Sequence, residues 1–391
     1  MDVDQLAGFY RDQLLNDSLP FWISNAVDRT NGGFLTALAR NGNVIDTDKS
    51  IWQQGRFTWL LATLYNEVEP CDEWLGLAAH GIDFIEQHAF DDNGDMYFLV
   101  TREGKGLRMR RYVYAEAFAA MAFAAYAKAS KLEQYADRAR ALFGQFQTAS
   151  IAPKVDPDTR PMKSIGPIMI AINVAQTLRA TIGFSEANAI IDQCIEEINR
   201  DFFKRDRGAV METVGLDGRV IDHFDGRLLN PGHAIEAGWF ILEEGRLRND
   251  PTLVDLGIEI IDVMWERGWD EEYGGLRSFC DLDGKPPQEY CHDMKLWWPH
   301  NEAIIATLLA YDLTGDPRHA TRHGVVHDWA HKHFADRDFG EWFGYLRRDG
   351  SVSVDLKGNQ WKGPFHLPRM QLRCWQIAER LRLSSCSSSL D

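Results

Sequence analysis

The chain has 391 residues, 45% of them hydrophobic and 26% charged, with a formal net charge of −16. That is enough apolar side chain for a large core, and the acidic balance argues against a nucleic-acid surface or an anionic membrane partner. No run of about 18 apolar residues occurs, so no membrane span is expected, and six scattered cysteines without a C-x-x-C pair fit a reduced, cytoplasmic protein.

From the N-terminus, residues 4–16 read as an amphipathic helix and not as a signal peptide. Helical periodicity then recurs over 50–67, 73–89, 113–129, 133–147, 165–180, 186–203, 232–246, 251–266, 294–312, 317–333 and 363–382. Taken in pairs, the second members start roughly 50 to 70 residues apart, a spacing that signals a repeat. These second members are the more apolar, as in IGPIMIAINVAQTL and GHAIEAGWFIL, whereas EQYADRARALFGQFQ carries a charged face. Apolar helices belong inside and amphipathic ones outside.

The connections repeat as well. An acidic residue, glycine and an aromatic or apolar stretch lead to a second turn: Asn31-Gly32-Gly33-Phe34 to Asn41-Gly42, and Asp92-Asn93-Gly94 to Glu103-Gly104. Further along, Arg207-Gly208 leads to Asp217-Gly218, Tyr273-Gly274-Gly275 to Asp283-Gly284, and Phe339-Gly340-Glu341-Trp342 to Asp349-Gly350. Each reads as a short β-hairpin. The expected fold is all-α: one (α/α)6-barrel domain over 1–391, with β-hairpins between repeats and a disordered serine-rich tail at 384–391.

Ionisable residues interrupt the apolar helices near their starts. The segments are Trp52-Gln53-Gln54-Gly55-Arg56, then Asn230-Pro231-Gly232-His233-Ala234-Ile235-Glu236. Lys295-Leu296-Trp297-Trp298-Pro299-His300-Asn301-Glu302 and Lys362-Gly363-Pro364-Phe365-His366-Leu367-Pro368-Arg369 follow. His233/Glu236 and His366/Arg369 are i,i+3 pairs and share a helical face. A single histidine at a helix start is usually a cap or a core residue. Four inner helices carrying such groups at one end call for another reason, because buried ionisable groups are costly unless paired or used.

At these segments the sequence resembles the N-acyl-D-glucosamine 2-epimerases, a family that includes the renin-binding proteins and is related to cellobiose 2-epimerases and mannose isomerases. The stretches that carry the resemblance are SIWQQGRFTW, MYFLVTREGK, NPGHAIEAGWFIL, WDEEYGGL, MKLWWPHNEAIIA, FGEWFGYLRRDG and KGPFHLPRMQL. It implies that His233 and His366 are catalytic, Arg56 the family arginine, Glu236 and Glu302 supporting carboxylates, and Arg369 the C-terminal arginine. Glu116 falls where relatives vary between Glu and Asp and is a further site position; on chemical grounds Trp297, Trp298 and Trp239 are candidates for apolar sugar contacts and His300 is a candidate for ring opening. Related free-sugar enzymes carry another histidine in the sixth helix; Met169 to Asn173 has none, which favours the N-acyl branch and makes Asn173 a substrate-contact candidate.

The implied reaction interconverts N-acetyl-D-glucosamine and N-acetyl-D-mannosamine without a metal or redox cofactor, in a homodimer, with ATP as an activator in some members. Once the sugar ring opens, C2–H lies α to an aldehyde. Inverting C2 then needs an acid and a base on opposite faces, and histidine, with a pKa of about 6.5, suits both tasks.

Two other signals are read structurally. His319, His323, His327 and His331 recur every four residues, with His333 nearby, and are expected to form a solvated face of an outer helix. The basic run Lys105–Arg111 is expected to be a solvated loop, with an anion or nucleotide contact as its functional alternative. Rival functions are an aldose–ketose isomerase, an inverting glycosidase using Glu116, Glu236 or Glu302, and a non-catalytic binding protein. The last two leave the His/His/Arg set without work.

Overall fold

The computed structural model describes residues 3–109, 113–149, 156 and 158–388, with the side chains of 4 and 385–388 excepted. Six helices form the inner ring: α3 (Ile51–Glu67), α5 (Tyr114–Ser130), α7 (Ile165–Ile182), α10 (Pro231–Arg248), α12 (Trp297–Thr314) and α14 (His366–Ser388). Outside them lie α1 (Val3–Gln13), α2 (Leu19–Ala26), α4 (Asp72–His88), α6 (Glu133–Thr148), α8 (Ala187–Glu197), α11 (Pro251–Gly268) and α13 (Pro317–His333). The short helix α9 (Phe224–Arg227) sits in a connection. Successive inner helices pack on one another from α3 to α14, and each packs on its outer partner. Side chains close the ring between α14 and α3, where Arg373 pairs with Glu67 at 3.1 Å and Trp59 meets Phe365 edge-on. This is the (α/α)6 barrel.

Some boundaries differ from the sequence reading. The first helix does not stop at residue 16; it runs through a π-helical turn, Leu14–Ser18, into α2. The last helix continues to Ser388, through most of the segment whose composition suggested an irregular tail. Residues 389–391 lie outside the described residues. In the basic run Gly106–Met109 is a strand paired with Tyr97–Val100, not a loop, and Arg110 and Arg111 lie outside the described residues. Helix α7 is long and apolar enough to cross a membrane by composition alone, contrary to expectation. Here it is one stave of the barrel.

The connections gather at one end and share a device that local propensity does not reveal. Asp28, Asp270 and Asp336 each open a glycine-containing turn and accept backbone N–H groups from it. Each is also ion-paired to a buried lysine at about 3 Å: Lys49, Lys295 and Lys357 respectively. An arginine from the neighbouring hairpin completes each set: Arg102 on Asp28, Arg348 on Asp270, and Arg40 on Asp336. The last of these joins the final repeat to the first. Burial alone would raise these carboxyls, but their cations hold all three well below the usual carboxylate range. The ion pairs therefore tie the loops that frame the barrel mouth.

The histidine stripe is not solvated. It faces α1: the Tyr10 hydroxyl lies 3.2 Å from His323 Nε2 and 2.7 Å from His327 Nδ1, and Phe9 meets His327 and His331 edge-on. Burial pushes His323 and His331 down to about 3. Both are neutral when folded and protonate near pH 6.5 when unfolded, so the unfolded chain binds more protons between those values. Stability is full above 6.5 and falls with pH below it, by up to about 1.4 kcal/mol per pH unit for each group. The melting temperature is expected to drop between pH 7 and 5, and to drop less in His331→Phe; equal drops would refute this account.

Candidate active site

At the end of the axis where the inner helices begin lies a cavity of about 400 Å³. Its charged and imidazole lining is Arg56 from α3, His233 and Glu236 from α10, and His366 from α14. Trp297 and Trp298 from α12 form an aromatic wall.

His233 owes its place to the start of α10. Asn230 caps the helix by accepting the His233 backbone N–H at 3.2 Å, and Pro231 occupies the first helical turn, where no amide donor is needed. The His233 Nδ1 lies 3.0 Å from Glu212, a residue between two short strands that the sequence reading missed. Burial pulls the His233 pKa down, but Glu212, with Glu236 and Glu302 behind it, outweighs this and holds it above the usual histidine value.

His366 opens α14, and its Nδ1 is 2.7 Å from Glu302 Oε1. Donation from Nδ1 to this carboxylate assigns the neutral tautomer with a lone pair on Nε2. Burial, reinforced by the Arg369 and Arg56 guanidiniums, places the His366 pKa well below the usual value. The two imidazoles thus favour opposite protonation states. Trp298 borders both, its ring centroid 5.1 Å from His233 and 5.9 Å from His366. Gly232 makes this possible, because a Cβ there would sit 2.6 Å from the indole.

Arg56 is buried with its guanidinium 4.0 Å from the Phe118 ring and 4.7 Å from that of Phe365. Burial, then repulsion from Arg369, brings its pKa down to about 9. Among the described residues no hydrogen bond or ion pair engages this cation, which leaves its donors for a ligand. Arg369 does the opposite work. Its Nη2 is 2.5 Å from Glu236 and 2.7 Å from Glu302, and Trp239 Nε1 donates to Glu302 at 2.8 Å. Glu236, Glu302 and His366 are the one trio of metal-type donors within 4.8 Å of one another among the described residues. The Arg369 guanidinium already supplies their cation.

Glu236 lines the cavity but has another partner, and several other expected site residues lie elsewhere. Glu236 does not orient His233; that partner is Glu212. His300 faces α13: it stacks on Trp329, accepts the Leu276 N–H at 2.9 Å and donates to the Leu296 carbonyl at 2.6 Å. Burial pushes it down to about 3, and it does not line the cavity. Asn173, with Trp239 and Arg369, lines a separate cavity of about 600 Å³ towards the other end of the inner helices. Glu116 is buried in α5 and lines neither.

A family model described as N-acylglucosamine 2-epimerase (GlcNAc 2-epimerase) matches residues 32–366. The chain is 34% identical to the N-acylglucosamine 2-epimerase of Mus musculus, covering 94% of this chain and 90% of that protein. It is 34% identical to the enzyme of the same description from Homo sapiens, covering 93% and 88% respectively. Among solved structures, the cellobiose 2-epimerase of Bacillus thermoamylovorans superposes with a TM-score of 0.83 at 20% identity, covering 96% of this chain and all of that one. At that identity the likeness concerns the fold.

Proposed function

The chain belongs to the N-acylglucosamine 2-epimerase family, and from that premise we propose that it interconverts N-acetyl-D-glucosamine and N-acetyl-D-mannosamine by passing the C2 proton between two histidines. The observation that carries the assignment of roles is the opposite bias of the imidazoles, His233 held up by Glu212 and His366 held down by burial and two arginines. A two-sided exchange at one carbon needs one neutral and one protonated group at the start of each turnover.

In the open-chain sugar, the His366 Nε2 lone pair takes the C2 proton. The C2–H electrons move into a C1–C2 double bond, and charge collects on O1. Arg56, with no carboxylate to satisfy, donates to that oxygen, where the largest electrostatic demand arises. The His233 imidazolium then delivers its proton to the other face of C2 and restores the aldehyde. Product has the inverted C2, and the histidines have exchanged protonation states. The reverse reaction starts from that arrangement. Glu302 keeps the His366 lone pair on the cavity side, and Glu212 keeps His233 protonated.

The test is proton NMR of purified protein with N-acetyl-D-glucosamine in D2O, with and without ATP, the activator suggested by the resemblance. N-acetyl-D-mannosamine carrying deuterium at C2 is the expected product. A ketose product, or no change at C2, would defeat the reading. Glu212→Gln tests the role of that carboxylate. His233 must be protonated to act as the acid, so removing Glu212 lowers its pKa and moves the alkaline limb of kcat/KM to lower pH. A shift of about 1 unit or more is expected, since a close opposite charge is worth 1–3 units. An unmoved alkaline limb would remove Glu212 from the mechanism.

A further inference from the structure

We propose that the apolar arc of the cavity formed by α5 and α7 is the subsite for the N-acyl group, with Met169 and Ile170 setting which acyl chain is accepted. The inference rests on the 2-epimerase reading above and adds to it the residues that select the substrate. Around the inner ring, the charged and imidazole groups of the cavity come from α3, α10 and α14, as Arg56, His233, Glu236 and His366. Trp298 of α12 borders both imidazoles. The remaining arc presents Phe118 from α5 and Met169 and Ile170 from α7, together with Phe279, has the Tyr114 hydroxyl of α5 at its edge, and carries no charged side chain among the described residues. Gly166 lies at the corner of α5 and α7. A Cβ there would come 2.6 Å from the Tyr114 hydroxyl, so the glycine lets that hydroxyl pack against α7.

The chemistry of the substrate selects this wall. With an imidazole on each face of C2 and O1 held by Arg56, the nitrogen substituent must leave C2 away from all three. Its acyl carbon chain is the one extended apolar group of the sugar. Against the Phe118, Met169 and Ile170 side chains a C2 hydroxyl would lose water and gain no partner from them, whereas a methyl group loses nothing. The arc therefore favours an N-acyl sugar over a free 2-hydroxy sugar. Its depth, set by two side chains on adjacent positions of α7, limits the chain length.

The experiment compares kcat/KM for N-formyl-, N-acetyl- and N-butanoyl-D-glucosamine in the wild type, Met169→Ala and Ile170→Trp, each checked for a cooperative melt. A buried methylene is worth about 10- to 200-fold in such selection. Met169→Ala is expected to raise the N-butanoyl to N-acetyl ratio by about 10-fold or more. Ile170→Trp is expected to lower the N-acetyl to N-formyl ratio by a similar factor. Should Ile170→Trp fail to fold, Met169→Ala carries the test alone, since it only removes atoms. If the variants change all three substrates by one common factor, the arc does not read the acyl chain and the proposal fails. A wild type inert on all three sugars overturns the epimerase reading instead.

Discussion

In His233→Ala and in His366→Ala, net epimerisation is expected to fall by about 10²–10⁴-fold, the span over which a positioned acid or base contributes, while each variant retains exchange on one face of C2. The remaining imidazole can still remove and return a proton on its own side. Incubation in D2O should therefore place deuterium at C2 of one epimer without inversion, and the two variants should label opposite epimers. This pattern separates loss of a catalytic group from general damage, which would suppress exchange in both epimers alike. Wild-type inversion in either variant would end the two-histidine mechanism, as would identical labelling in both.

Much of the barrel was legible because it is written in local periodicity. Apolar inner helices, charged outer ones and Asn-Gly or Asp-Gly turns each follow from short-range rules, and each appears in the structure near its expected place. The residues that open the inner helices were legible for the same reason, since a helix start fixes depth as well as direction. Depth also explains the misplacements. Asn173 lies seven residues beyond Gly166 on α7, about 10 Å further along the axis at 1.5 Å per residue, and so reaches the other cavity. His300 is two residues after Trp298, which turns it by about 200° from the cavity.

What the sequence could not show is what depends on partners far away in the chain. Glu212 stands outside any helix, and only folding brings it to His233, 21 residues later. The histidine stripe has the spacing of an exposed face, but α1 packs over His323, His327 and His331. The Asp28, Asp270 and Asp336 turns were visible as turns, but their lysine and arginine partners come from other hairpins.

The Arg369 guanidinium supports both stability and chemistry, and Arg369→Met should expose the two effects together. Glu236 and Glu302 are 3% and 0% exposed, so the substitution leaves two buried carboxylates without their cation. Breaking a buried pair in this way costs about 3–5 kcal/mol. A clear fall in melting temperature is expected, partly recovered by adding Glu236→Gln, which removes one of the stranded charges. The second effect has a definite sign. Arg369 is, after burial, the main influence holding His366 down. Without it the His366 pKa rises, the neutral base becomes scarcer at lower pH, and the acid limb of kcat/KM moves to higher pH. A residue that merely held α14 in place would lower the melting temperature and leave that limb where it was. Because the same cation grips Glu302, which in turn holds the His366 ring, the variant is also expected to lose kcat more than it raises KM. Loss of stability with an unchanged pH profile would assign Arg369 to the fold alone.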